Sequence, residues 1–185
     1  MRILGICGSL RQGSYNRRLL RAAGSLLGPG VELVEWDGLK AIPPFDEDDE
    51  AAPPPAVREM RRAITASGAL LIATPEYSSS LPGQLKNALD WASRPSASSV
   101  LRGKPAAVIG ASPSMFGAVW AQAEVRKVLT AAGARVIEAE LAVAGAPDQL
   151  TADGRLRDPE LTERLAHILG ELVAGAQPRV EAHAA

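Results

Sequence analysis

Five short apolar runs recur along the chain: RILGIC, VELVEW, ALLIA, AAVIGA and RVIEAELAV. Each has the length of a β-strand. The stretches between them place apolar residues at helical spacing: Leu19, Leu20, Ala23, Leu26 and Leu27, then Val57, Met60 and Ile64. The pattern continues with Leu85, Ala88, Leu89 and Ala92, and with Val125, Val128, Leu129 and Ala132. A last helix is predicted from Asp158-Pro159, an N-cap acid followed by proline in the first turn, with Leu161, Leu165, Ile168, Leu169 and Leu172 on one face. Strand and helix therefore alternate five times. Right-handed crossovers then require a parallel sheet covered by helices on both faces.

Charge placement orders the strands. A strand buried on both faces reads as an unbroken apolar run, whereas an edge strand tolerates charge. The first, third and fourth runs have apolar interiors; the second holds Glu32 and Glu35, and the fifth holds Glu138 and Glu140. The second and fifth are the expected edges, which gives a flavodoxin-like α/β fold, a doubly wound five-stranded parallel sheet of order 2-1-3-4-5. In that order the topological switch lies between strands one and three and opens a ligand crevice at their C-terminal ends.

The 185 residues suit one domain, expected over 1–175, with a flexible tail over 176–185. A formal net charge of -1, from 20 basic and 21 acidic residues, speaks against a nucleic-acid or anionic-membrane partner and leaves a small molecule. The single cysteine, Cys7, cannot form an internal disulfide and sits in an apolar run, as a buried thiol does. The apolar run before Gly8 is too short for a signal peptide and no other run could span a bilayer, so the expected location is the cytoplasm. His167 and His183 have no second ligand at metal spacing, and no metal is expected. The acidic run DEDDE at 46–50, followed by PPP at 53–55, reads as a solvated loop leading stiffly into the next helix.

The residues that need a chemical explanation follow strands one, three and four. After strand one comes GSLRQGSYN, residues 8–16, with glycines for a tight path, the hydroxyls of Ser9 and Ser14, the cation of Arg11, and a helix starting near Asn16. Exposed main-chain amides at a helix start, joined by an arginine, make a phosphate cradle. The stretch lacks the lysine of a Walker loop and the three glycines of a dinucleotide fingerprint. An ordinary strand-to-helix loop with Ser14 as the N-cap is the competing reading. After strand three comes TPEYSSS, residues 74–80: Pro75 fixes the departing backbone, and Glu76, Tyr77 and Ser78 can offer main-chain groups to a planar polar ring, with Ser80 as the expected cap of the next helix. Here a serine-rich turn with Tyr77 covering the edge of the core is the alternative.

GSLR-x-x-S-x-N, TPEY-x-x-S-x-P-G-x-L-K-N-A-x-D-W and the GAS after strand four resemble, in order and spacing, the NADPH-dependent FMN reductase family, which includes quinone, chromate and azo-dye reductases. The resemblance spans roughly residues 2–145. It implies a flavodoxin-like fold, noncovalent FMN, NADPH or NADH as electron donor, and a homodimer or homotetramer. It further implies that Ser9, Arg11, Ser14 and Asn16 hold the FMN phosphate, that Pro75, Glu76, Tyr77 and Ser78 lie along the isoalloxazine ring, and that Ser112 lies near the ring's other side. The chain departs from the family pattern at Ser78, where asparagine is usual, at Ser79, where glycine is common, and at Ser114 and Trp120, where glycine and arginine are frequent.

In such an enzyme the flavin performs the redox step and the protein supplies orientation and electrostatics, so no side chain is expected to act as catalytic acid, base or nucleophile. The expected activity transfers hydride from nicotinamide to flavin and on to a small acceptor: a quinone, an azo compound, a metal oxyanion or free flavin. The alternatives are a flavodoxin-type electron carrier and a flavin-binding module without turnover. Leu85, Leu89, Trp91 and Ala92, on the helix beside the ring loop, are the expected dimer contacts.

Overall fold

The computed structural model describes residues 1–177. In chain order its elements are β1 (Arg2–Cys7), α1 (Tyr15–Leu26), β2 (Glu32–Trp36), α2 (Pro55–Ala66), β3 (Ala69–Thr74), α3 (Gly83–Ala92), β4 (Pro105–Ala111), α4 (Val119–Ala131), β5 (Arg135–Val136), β6 (Leu141–Val143), α5 (Ala146–Gln149) and α6 (Pro159–Ala176). All strand pairings are parallel, and the order is β2-β1-β3-β4-β5, with β6 also on β4. The expected order and both expected edges are therefore present.

Side chains alternate across the sheet, so each strand feeds two cores. On one side Ile3, Leu71 and Ile109 meet Leu19 and Leu20 of α1 and Leu165, Ile168 and Leu172 of α6. On the other, Leu4, Ile6, Leu70, Ile72 and Val108 meet Val57, Met60 and Ile64 of α2, Leu85 and Leu89 of α3, and Val125 and Leu129 of α4. Edge strand β2 keeps its acids by pairing them: Glu32 with Arg2 at 3.0 Å in the open, and the part-buried Glu35 with Arg17 at 2.9 Å.

Three expectations change. The fifth run is not one strand. Ala106 pairs with Val136 and Ile109 with Leu141, so residues 137–140 stand opposite only 107–108. The surplus lets Glu140 leave the ladder and reach Arg126 at 2.6 Å, a solution open only to an edge strand. Secondly, Leu85, Leu89, Trp91 and Ala92 are all buried within their own chain and cannot form a subunit contact. Trp91 is held there by its indole N–H, which donates to the Pro43 carbonyl at 3.0 Å, and by the Phe45 ring set edge-on at 4.9 Å. Truncating so buried a tryptophan costs about 3–5 kcal/mol. Thirdly, α6 continues through Ala176, one residue beyond the expected domain limit, with Asp158 capping it by accepting from the Glu160 amide at 2.8 Å. Most of the expected tail, residues 178–185, lies outside the described residues.

Candidate functional site

The carboxyl ends of β1, β3 and β4 are laced together, and the lacing defines the site. The Gly8 amide donates to the Ala73 carbonyl at 2.8 Å. A side chain at Gly8 would meet Leu85 Cδ2 at 3.0 Å and Pro75 Cδ at 3.2 Å, so glycine is what lets the loops after β1 and β3 approach one another. Asn16, in the first turn of α1, reaches β4: its amide nitrogen donates to the Ala111 carbonyl at 2.9 Å, and its carbonyl accepts from the Ala111 amide at 2.9 Å. Ser112 continues from there, its amide donating to Val143 of β6 at 3.0 Å.

In the loop after β1, Ser9 and Ser14 are buried and Arg11 is exposed. Ser14 occupies the N-cap position of α1, yet its hydroxyl does not cap the helix; it lies 3.6 Å from Cys7 Sγ. The Ser9 hydroxyl accepts from the Arg11 amide at 3.4 Å. Arg11 makes no ion pair among the described residues and stacks over Tyr15, 5.3 Å from the ring centroid. Two hydroxyls, a helix start without a side-chain cap and an unpaired guanidinium thus share one loop, as anion binding requires. Cys7, beneath it, is a buried thiol whose pKa burial pushes up, against the smaller opposing effect of Ser14, and it is correspondingly inert. Asn16 has a different task from the expected one: its side chain is committed to Ala111, so it is a strut between α1 and β4.

The loop after β3 is a two-residue hairpin. Tyr77 and Ser80 exchange main-chain hydrogen bonds of 3.0 and 3.1 Å, with Ser78 and Ser79 between them at φ of 52° and 59°. Positive φ at both central positions is the requirement that favours Asn-Gly in such turns. Pro75 is buried and its carbonyl accepts from the Thr74 hydroxyl at 2.8 Å, whereas Tyr77, Ser78 and Ser79 are exposed. The Glu76 carboxylate accepts from the Trp120 and Ala121 amides at 3.0 and 3.1 Å, supplying the cap of α4. Ser80 does not cap α3, whose N-cap is Pro82; its hydroxyl donates to Glu124 at 2.5 Å. Beyond β4, the Ser112 hydroxyl meets that of Ser114 at 3.0 Å, and the Phe116 and Trp120 rings pack in a tilted pair with centroids 4.8 Å apart, both half exposed.

Sequence reasoning missed Glu124 and the work of α3. Gln84 donates to the Leu39 and Ile42 carbonyls at 2.8 Å, and Asn87 bonds Phe45 and Pro43, so Gln84 together with Asn87 and Trp91 of the K-N-A-x-D-W motif fastens segment 39–45. Their i, i+3 and i+7 spacing, which puts them on one helix face, was the sequence signal. His167 is exposed and lies 3.8 Å from Glu171, and no group of metal-ligating side chains exists among the described residues.

A doubly wound parallel sheet of order β2-β1-β3-β4-β5, with the loops after β1 and β3 bordering its topological switch, is a flavodoxin-like fold, and its relatives are flavoprotein oxidoreductases. Residues 1–148 match the family model described as NADPH-dependent FMN reductase, and the chain belongs to that family. Among its relatives, NAD(P)H-dependent FMN reductase PA1204 of Pseudomonas aeruginosa is 42% identical over 174 residues, 93% of each chain. The 2-hydroxy-1,4-benzoquinone reductase of a Burkholderia species is 41% identical over 69% of each chain. The structure of FerB, a flavoenzyme NAD(P)H:(acceptor) oxidoreductase from Paracoccus denitrificans, superposes with a TM-score of 0.86 at 32% identity, covering 95% of this chain and 96% of that one.

Proposed function

We propose that this protein is an FMN-dependent NAD(P)H oxidoreductase reducing a small planar acceptor of the quinone class, with one domain, extending through the end of α6, carrying the activity. The observation that supports it most is the cradle: buried Ser9 and Ser14 hydroxyls beside Arg11, which has no ion partner among the described residues. These three residues fit a phosphate monoester, and Asn16 acts behind them as a strut. Pro75, Glu76, Tyr77 and Ser78 border the ring through main-chain groups, since the Glu76 carboxylate is engaged with α4. Ser112 stands on the other side of the crevice.

When bound, FMN supplies the redox chemistry, accepting hydride from a nicotinamide and returning electrons to the acceptor. The chain's part is to anchor the phosphate, to fix the ring against the turn after β3 and to leave the opposite approach open, bordered by the exposed Phe116 and Trp120. Donor and acceptor can then use one approach in turn. No side chain is needed as acid, base or nucleophile.

We read the molecule as a cytoplasmic homodimer or homotetramer. No described helix is long and apolar enough to cross a membrane. Met115, Phe116 and Trp120 form an exposed apolar group of the kind that subunit association covers.

The test is anaerobic spectroscopy of FMN-loaded protein. NADH or NADPH alone should bleach the visible flavin bands within minutes, and a quinone should restore them. Flavin that bleaches only when a separate reductase protein is added would replace this reading with an electron carrier.

A further inference from the structure

Two carboxylates reach in opposite directions between the hairpin after β3 and helix α4. Glu76, just before the turn, accepts from the Trp120 and Ala121 amides; Glu124, in the second turn of α4, accepts from the Ser80 hydroxyl at 2.5 Å and the Leu81 amide at 3.2 Å. The turn is thereby held on both flanks. It needs holding: a two-residue hairpin is marginal alone, and Ser78 and Ser79 occupy left-handed conformations that L side chains adopt rarely. Hydrogen bonds to an ionised acceptor are stronger than neutral ones. The Ser80 hydroxyl first, then the Leu81 amide, keep the Glu124 carboxyl below the usual carboxylate range, so it is ionised at neutral pH.

We propose that Glu124 is a positioning residue for the flavin: with Glu76 it clamps the Tyr77–Ser80 turn to α4 and so sets where the main chain of residues 76–78 meets the ring. The inference rests on the reading that this turn borders FMN. It assigns Glu124 a role although it does not touch the cofactor. A further consequence is that the clamp maintains a turn whose own residues disfavour it. Relaxing the turn with glycine should therefore reduce the dependence on Glu124.

The experiment compares Glu124→Ala, Glu124→Gln, Ser79→Gly and the Glu124→Ala/Ser79→Gly pair, with Arg126→Ala as a control that loses a different contact of α4. In ligand-free protein, hydrogen exchange at the Tyr77, Ser80 and Leu81 amides should rise about tenfold in Glu124→Ala. It should rise less in Glu124→Gln, which keeps an acceptor oxygen, and not at all in the control. The FMN dissociation constant should rise about tenfold in Glu124→Ala, with a shifted visible band of the bound flavin, and the glycine pair should recover much of both. Unchanged exchange in Glu124→Ala overturns the clamp whatever FMN does. Raised exchange with wild-type FMN affinity and spectrum, or a pair no better than Glu124→Ala, overturns the positioning role. Failure of the wild-type protein to bind FMN overturns the flavin reading instead, a result separate from the exchange measurement.

Discussion

Arg11 and Arg18 approach the Tyr15 ring, each 5.3 Å from its centroid. For Arg11 this is a resting place at the cradle's mouth, from which a planar guanidinium can turn onto a phosphate with two parallel N–H donors. Arg11→Ala should weaken FMN by about 1.5–3 kcal/mol, as expected for loss of a hydrogen bond to a charged group, and leave riboflavin affinity nearly unchanged. Titration calorimetry with both ligands checks this, and equal wild-type affinities for the two would contradict a phosphate site. Ser9, Arg11 and Ser14 were expected together because they share one short loop, whereas the contacts of Gly8 reach Ala73, Pro75 and Leu85. Asn16, Ser80 and Glu124 were not readable in this way. Their partners lie 95 positions away for Asn16 and 44 for Ser80, and a hydroxyl that can cap the next helix looks the same as one that bonds a distant acid.

At the level of elements, the short apolar runs located β1, β3 and β4 because burial on both faces leaves little room for polar residues, and β2 as an apolar run interrupted by Glu32 and Glu35. The run RVIEAELAV concealed its break, since alternating charge suits a continuous edge strand as well as an interrupted one. The slip appears only in register against β4. Helix α5 was equally silent: it is four residues long and follows Gly145, whose φ is 56°. The join between α1 and β4 rests on Asn16, whose removal leaves the buried amide and carbonyl of Ala111 without their partner. Asn16→Ala should cost about 2–4 kcal/mol in urea unfolding of the ligand-free protein. A loss confined to FMN binding, with stability unchanged, would return Asn16 to the phosphate.

Across the whole molecule, the order 2-1-3-4-5 follows from which strands can bear charge, and it puts the crevice between β1 and β3 before any side chain is placed. The subunit contact did not follow, because a single apolar stripe on a helix suits its own sheet and a neighbour equally well. With the apolar face of α3 turned inward, the exposed large apolar side chains on the loops after β1, β3 and β4 and in the first turn of α4 are Leu10, Tyr77, Met115, Phe116 and Trp120. Light scattering at micromolar concentration should show a dimer or tetramer for the FMN-bound wild type, and Phe116→Glu should shift it toward monomer. A monomeric wild type would remove the association reading and leave these side chains to the acceptor alone.

The gap between β5 and β6 bears on how such molecules behave when crowded. A straight outer strand offers any passing extended chain a full row of free amides and carbonyls, and so seeds fibrous growth. Here a stranger docking along that border would match β5 for two residues, lose step across 137–140, and have only the three residues of β6 left to grip. Glu138 and Glu140 stand within the misaligned stretch. This border thus discourages templating by another strand while still closing its side of the sheet.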